Sequence, residues 1–219
     1  MSVKLSGLKV IALDFDGTLV ESNHIKDRAF ETIFSNWPEH QDAMMRWHFN
    51  HNSTERQEKF RYFVEDVLAL TSREDLIQEL TTKFGKITKQ AVIDCPFVDG
   101  AQNFLEYIKG RVKTYLVSAT PQAELKIIIK KRKLDAYFKN IFGAPIKKID
   151  ILKQIMVSEK ATVDEILFIG DSPEDQHAAE SLGIHFIGRK SDRPLNELKG
   201  NIVLDFVKIK DYLIQYYGI

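Results

Sequence analysis

Five short β-rich runs, spaced by helical patterns and one long insertion, restrict this chain to very few architectures. They lie at 9–15 (KVIALDF), 113–118 (KTYLVS), 165–170 (EILFIG), 184–188 (IHFIG) and 201–206 (NIVLDF). Helical patterns fall at 101–109, 122–134, 149–158 and 176–182, the first and last stopping at Gly110 and Gly183. Strands that alternate with helices of this length form a parallel sheet covered on both faces. The spacing therefore predicts an α/β protein with a Rossmann-like parallel sheet, in which ligands gather at the carboxyl ends of the strands.

The stretch from 22 to 95 breaks the alternation, with no convincing strand and several helical patterns. Thr54 and Gln57 have capping-box spacing, and Phe60, Phe63, Val64, Val67 and Leu68 follow as a helical stripe. A further helix is expected from about Ser72, with Leu76, Leu80 and Phe84 on one face. An insertion of this kind after the first strand predicts a small α-helical cap domain over residues 22–95. The catalytic core would then comprise 1–21 and 96–219, joined to the cap near 20–23 and 94–100.

Composition removes whole classes of function. Lys plus Arg and Asp plus Glu both number 31, so the formal charge is zero, which argues against a general nucleic-acid binder. The lysine-rich stretch 126–133 (KIIIKKRK) reads as a helix that buries Ile127, Ile128 and Ile129 among solvated lysines. A single cysteine, Cys95, rules out an internal disulfide and suits a reducing compartment. The first residues lack the apolar stretch of a signal peptide, and no apolar run approaches the about 20 residues that span a bilayer. The expectation is a cytoplasmic protein without membrane contact, a monomer or small homo-oligomer.

Three strand ends carry polar residues that a buried strand would not keep without compensation. They are Asp14-Phe15-Asp16-Gly17-Thr18, Ser118-Ala119-Thr120-Pro121 and Gly170-Asp171-Ser172-Pro173-Glu174-Asp175. In neighbouring parallel strands these groups meet in one crevice. Clustered carboxylates repel one another unless a cation sits among them, and Mg²⁺ takes oxygen ligands while leaving room for water and phosphate oxygen. Asp14, Asp171 and Asp175 are the candidate ligands. Thr120 before Pro121 reads as a helix start that offers backbone N–H groups to an anion. Ser118 and a lysine from Lys147-Lys148 would complete a phosphate cradle. Two aspartates at one strand end suggest a division of labour, with Asp14 as nucleophile and Asp16 as proton carrier, and Gly17 allowing the turn.

These motifs resemble the haloacid dehalogenase superfamily, in the branch whose helical cap follows the first strand. The matching residues are Asp14-Phe15-Asp16-Gly17-Thr18-Leu19, Ser118-Ala119-Thr120-Pro121, a lysine after Phe142-Gly143-Ala144-Pro145, and Gly170-Asp171-Ser172-Pro173-Glu174-Asp175, in the family's order. The resemblance implies that Mg²⁺ is held by Asp14, the Asp16 backbone carbonyl and Asp171, with Asp175 in an outer position. It also implies that Ser118 and the Ala119 amide bind the phosphoryl group, and that a lysine orients the nucleophile. The family's spacing over Gly143, Pro145 and Leu152 selects Lys148 over Lys147. Dehalogenases and phosphonate-cleaving members lack the second aspartate, so the resemblance with Asp16 present favours a phosphatase or a phosphomutase, in the phosphoglycolate phosphatase and β-phosphoglucomutase-like branch.

Each motif also has a plain structural reading. Asp16-Gly17 is a common turn pair, Ser172-x-x-Asp175 with Pro173 is a good helix start, and Ser118 and Thr120 would serve as ordinary caps. In the cap, Trp47-His48-Phe49-Asn50-His51-Asn52 followed by Arg56 and Lys59 is either an interhelical loop with surface charges or a specificity loop. In the second reading Lys26, His48, Asn52, Arg56 and Lys59 recognise hydroxyls and a second anionic group. The expected reaction is hydrolysis of a small phosphorylated metabolite, a sugar phosphate or phosphoglycolate-like acid. A phosphomutase and a non-catalytic interaction protein on the same fold are the alternatives.

Overall fold

The computed structural model describes residues 7–51, 54–191 and 198–218. Among them, six strands form one parallel sheet in the order β3-β2-β1-β4-β5-β6. They are β1 (Val10–Leu13), β2 (Lys113–Pro121), β3 (Asn140–Ala144), β4 (Ile166–Gly170), β5 (His185–Arg189) and β6 (Ile202–Val203). β1 is fully buried and pairs on both sides, Val10 standing opposite Lys113 of β2 and Ile166 of β4. Successive strand side chains point to opposite faces. Ile11 and Leu13 therefore join Leu116, Leu167 and Ile169 under α5 (Ala101–Ile108), α6 (Gln122–Lys131) and α9 (Phe206–Tyr217). Val10 and Ala12 join Tyr115, Val117 and Phe168 on the other face, under α7 (Lys148–Glu159) and α8 (Pro173–Leu182).

The inserted helices are α1 (Asn23–Phe34), α2 (Pro38–Asn50), α3 (Arg56–Tyr62), which continues into a π-helical turn at Phe63–Val67, and α4 (Glu74–Asp94). Phe30, Ile33, Phe34, Phe60, Phe63, Leu80 and Phe84 give this helical cap a core of its own. Its two connections run side by side: Glu21 N–H donates to the Pro96 carbonyl at 3.0 Å and Val98 N–H to the Leu19 carbonyl at 3.0 Å. Arg132, after α6, donates to the carbonyls of Val92, Ile93 and Cys95 at 2.7–2.9 Å, satisfying the orphan acceptors at the end of α4. Among the described residues no helix is long and apolar enough to cross a membrane.

Several sequence expectations are corrected. β3 falls in a stretch with no predicted strand, because it is a short edge strand that begins with the exposed Asn140 and whose Ile141-Phe142 pair runs at once into Gly143 and Pro145, which read as a turn. The run at 201–206 yields only two strand residues, since the Asp205 carboxylate accepts the Lys208 N–H and starts α9 at Phe206. Thr54 and Gln57 form no capping box: α3 begins at Arg56 with Glu55 at its N-cap and no side-chain cap bond. In α6, Ile128 and Ile129 are buried while Ile127 is 46 % exposed, because the sheet takes one face of the helix only.

Candidate active site

The site grows from the end of β1. Asp14 follows the last strand residue and stays buried, its N–H bonded to the Ile169 carbonyl of β4 at 2.9 Å. The chain then turns at Gly17, whose φ of +74° favours glycine. Space demands glycine too: a Cβ there would lie 2.2 Å from both Asn23 Nδ2 and Asp171 Oδ2. Arg189, at the end of β5, clamps this turn by donating to the Gly17 carbonyl at 2.9 Å and to the Glu21 carboxylate. Because β1 lies between β2 and β4, Asp14 and Asp16 meet the polar ends of both neighbours.

On the β4 side, carboxylate oxygens of Asp14, Asp171 and Asp175 lie within 4.8 Å of one another, and all three residues are buried. Lys148 Nζ reaches this group, 2.9 Å from Asp14 Oδ1 and 2.5 Å from Asp175 Oδ1. Burial pushes the Asp14 carboxyl up to about 8; Lys148 opposes that shift, and Asp175, Asp171 and Asp16 add to it. Burial alone would lower the Lys148 ammonium, but Asp14 and Asp175 overcome it and raise it well above the usual lysine range. Lys148, rather than Lys147, is thus the lysine brought to the carboxylates. Asp175 is fully engaged: Lys148 holds one oxygen, and the other accepts from Ser172 N–H at 3.2 Å and Ser172 Oγ–H at 2.6 Å in a capping box. The helix-start reading and the site reading of Asp175 therefore coexist.

On the β2 side, Asp16 accepts from Ser22 Oγ–H at 2.7 Å and Thr120 Oγ1–H at 2.8 Å, and lies 2.5 Å from Lys26 Nζ. Burial would raise the Asp16 carboxyl, but the Lys26 charge and the bonds from Lys26, Ser22 and Thr120 outweigh it and hold it below the usual carboxylate range. Thr120 is not a helix cap as expected. β2 continues to Pro121, which itself occupies the N-cap of α6, so the threonine hydroxyl is directed at Asp16. Ser118 Oγ accepts the Thr120 N–H at 3.0 Å and donates weakly to Asp16 at 3.5 Å.

The cap residues divide. Lys26 joins the core site through Asp16 and Thr120. Arg56 spans cap and core, its Nη1 and Nη2 donating to the two Glu124 oxygens of α6 at 2.9 and 3.0 Å. His48 is buried, with Nε2 2.8 Å from Asp27 and Nδ1 2.8 Å from Lys59 Nζ. Lys26, His48, Arg56, Lys59, Ala119 and Thr120 line one small cavity of about 50 Å³. Asn52 lies outside the described residues. A larger groove of about 510 Å³ begins beside Ser118, Ala119 and Lys148 and runs between Glu55, Glu58 and the start of α7. Sequence reading missed Ser22, Asn23, Glu124 and Arg189. The one local signal was a polar Ser22-Asn23 pair at a helix start; both prove buried, and the Ser22 side chain caps nothing.

The donor set suits Mg²⁺: three buried carboxylates face one lysine, leaving negative charge that a hard divalent cation with oxygen ligands neutralises.

Comparison with known proteins agrees with this geometry. The family model described as haloacid dehalogenase-like hydrolase matches residues 11–189. No curated protein matches the chain. Among solved structures, a predicted phosphoglycolate phosphatase from Haemophilus somnus is 19% identical, with a TM-score of 0.74 over 94% of this chain and 97% of that one. CbbY from Rhodobacter sphaeroides, a mutant in complex with xylulose 1,5-bisphosphate, is 15% identical, with a TM-score of 0.72 over 92% and 96%. The HAD-hydrolase YfnB from Bacillus subtilis, bound to magnesium, is 15% identical, with a TM-score of 0.69 over 94% and 99%.

Proposed function

Because the chain belongs to the haloacid dehalogenase-like hydrolase family, we propose that it is a Mg²⁺-dependent phosphatase that hydrolyses a small phosphorylated metabolite through an aspartyl-phosphate. The observation that carries this reading is the buried Asp14, Asp171, Asp175 and Lys148 cluster, with Asp16 two residues beyond Asp14 and turned to the Ser118 side. Asp14, the Asp16 backbone carbonyl and Asp171 would hold Mg²⁺, with Asp175 behind them orienting Lys148; the ion supplies charge neutralisation for the phosphoryl oxygens. The division into core (1–21 and 96–219) and cap (22–95) belongs to the same proposal.

The chemistry then follows from the chain's own groups. An Asp14 oxygen attacks phosphorus, the bond from phosphorus to the ester oxygen breaks, and Asp16 gives that oxygen its proton. Water next attacks the phosphorus of the aspartyl-phosphate, Asp16 takes the water's proton, and the bond to Asp14 breaks to release phosphate. Ser118 and the Ala119 amide bind the phosphoryl oxygens, and Lys148 offsets their charge. Lys26 holds Asp16 ionised in the substrate-free protein, so displacement of that ammonium by substrate is what lets Asp16 carry a proton.

The small cavity beside Ala119 and Thr120 supports a compact leaving group. Its basic lining supports a second anionic group on the substrate, read by Lys26, His48 and Lys59, while Arg56 is held by Glu124. Sugar phosphates and phosphoglycolate-like acids fit that description, and the similar structures named for a phosphoglycolate phosphatase and a xylulose bisphosphate complex point the same way. A metabolite-panel assay for phosphate release in the presence of Mg²⁺ tests the reading. Release from one such compound supports it. Isomerised product without free phosphate makes the protein a phosphomutase, and no turnover with no uptake of a phosphoryl mimic makes it a binding protein.

A further inference from the structure

Asp171 follows the end of β4, but one of its partners comes from the first turn of the cap. Asn23 Nδ2 donates to Asp171 Oδ2 at 2.8 Å across 148 residues of sequence, and both side chains are buried. We propose that Asn23 is a positioning residue for the metal ligand Asp171, fixing from the first turn of the cap which carboxylate oxygen faces the cation. The proposal rests on the Mg²⁺ reading above.

Three features of the structure carry it. Asn23 is the first residue of α1, a position where a polar side chain ordinarily serves the helix end; this one is turned into the core site. Gly17 is shaped around the pair, since any Cβ would fall 2.2 Å from both bonded atoms. The neighbouring Ser22 makes the parallel contact to Asp16, so two consecutive residues at the cap entrance set two carboxylates of the core. The chemistry of the donor matters as well. An amide orients a carboxylate without bringing positive charge, whereas a lysine or arginine there would compete with the metal. With Oδ2 held by Asn23, the carboxylate is fixed against rotation, with an oxygen presented to the cluster formed with Asp14 and Asp175.

Titration of the metal-free protein with Mg²⁺ alone, followed by calorimetry, tests this on wild type, Asn23→Ala and the near-isosteric Asn23→Leu. Circular dichroism identifies which variants are folded. The expected result is a Kd for Mg²⁺ raised about tenfold or more in each folded variant, the range seen for partners that orient metal ligands. The accompanying loss of turnover should shrink as Mg²⁺ is raised, which a general distortion of the fold would not produce. Folded variants that bind Mg²⁺ within twofold of wild type overturn the positioning role, as does a turnover loss that Mg²⁺ leaves unchanged. Should both variants prove unfolded, Asn23 is a folding residue and the proposal is likewise overturned. A wild-type protein that binds no Mg²⁺ defeats instead the metal reading on which the proposal stands.

Discussion

The bridge between Arg56 and Glu124 decides whether a cap arginine grips the core or the substrate. Its two hydrogen bonds, 2.9 and 3.0 Å long, join a side chain 7 % exposed to one 17 % exposed. At an effective dielectric of about 20, unit charges about 3 Å apart attract by about 5–6 kcal/mol before desolvation is counted. Desolvation and side-chain ordering remove much of that, and the partial exposure of Glu124 weakens it further. A charge-assisted bidentate pair of this kind should retain a coupling of about 2 kcal/mol. Arg56→Met, Glu124→Gln and the double variant form the cycle, read by urea denaturation of the metal-free protein. Each single change should cost about 2–3 kcal/mol, because it strands a largely buried charge or amide partner, and the double change little more than either. If the coupling falls below about 0.5 kcal/mol, the bridge contributes nothing to holding the cap. If Arg56→Met then weakens substrate binding while Glu124→Gln does not, Arg56 is a substrate residue and the reasoning from its geometry fails.

Two further outcomes follow from the charge distribution. Asp14→Asn should abolish turnover without unfolding the protein, and it should also change how metal-free stability varies with pH. Burial lifts the folded-state Asp14 carboxyl from its ordinary 3.8 to about 8, so its contribution is fully present below pH 3.8 and is lost as pH rises through 8. The melting temperature of metal-free wild type should therefore fall relative to Asp14→Asn between pH 5 and pH 9, and saturating Mg²⁺ should remove that trend; parallel profiles would contradict the assignment. Glu159 behaves in the opposite sense, its carboxyl drawn down to about 2 by hydrogen bonds from Lys113, Lys139 and Tyr115 at the far end of the sheet. Its stabilisation is present above pH 4.5 and lost as pH falls through 2, so Glu159→Gln should show its full deficit in melting temperature at neutral pH and a shrinking one in acid.

What could be read in advance was whatever is written locally. β1 and β4 are continuous apolar runs because both faces of a central parallel strand are covered, and their polar ends stand out against that background. Asp14, Asp16, Asp171 and Asp175 were legible for this reason. β3 was not, since an edge strand with a polar start has no such contrast. Thr120 was misread because Thr-Pro is equally the signature of a helix cap, and only the continuation of β2 to Pro121 redirects its hydroxyl. The core partners of the cap residues were beyond local reading altogether. Glu124 lies 68 residues from Arg56, and Asp171 lies 148 from Asn23; nothing in either neighbourhood specifies that the fold will join them.

Whether Asp14 carries the phosphoryl group is answered by acid-quenching the Asp16→Asn variant during reaction with Mg²⁺ and a turned-over phosphate ester, then locating covalent phosphate by mass spectrometry. Loss of the general acid and base should slow formation and hydrolysis together, and the trapped phosphoryl group should sit on Asp14 and be released by hydroxylamine, as an acyl phosphate is. Phosphate found on another residue, or steady Mg²⁺-dependent turnover by Asp14→Asn, would contradict the account.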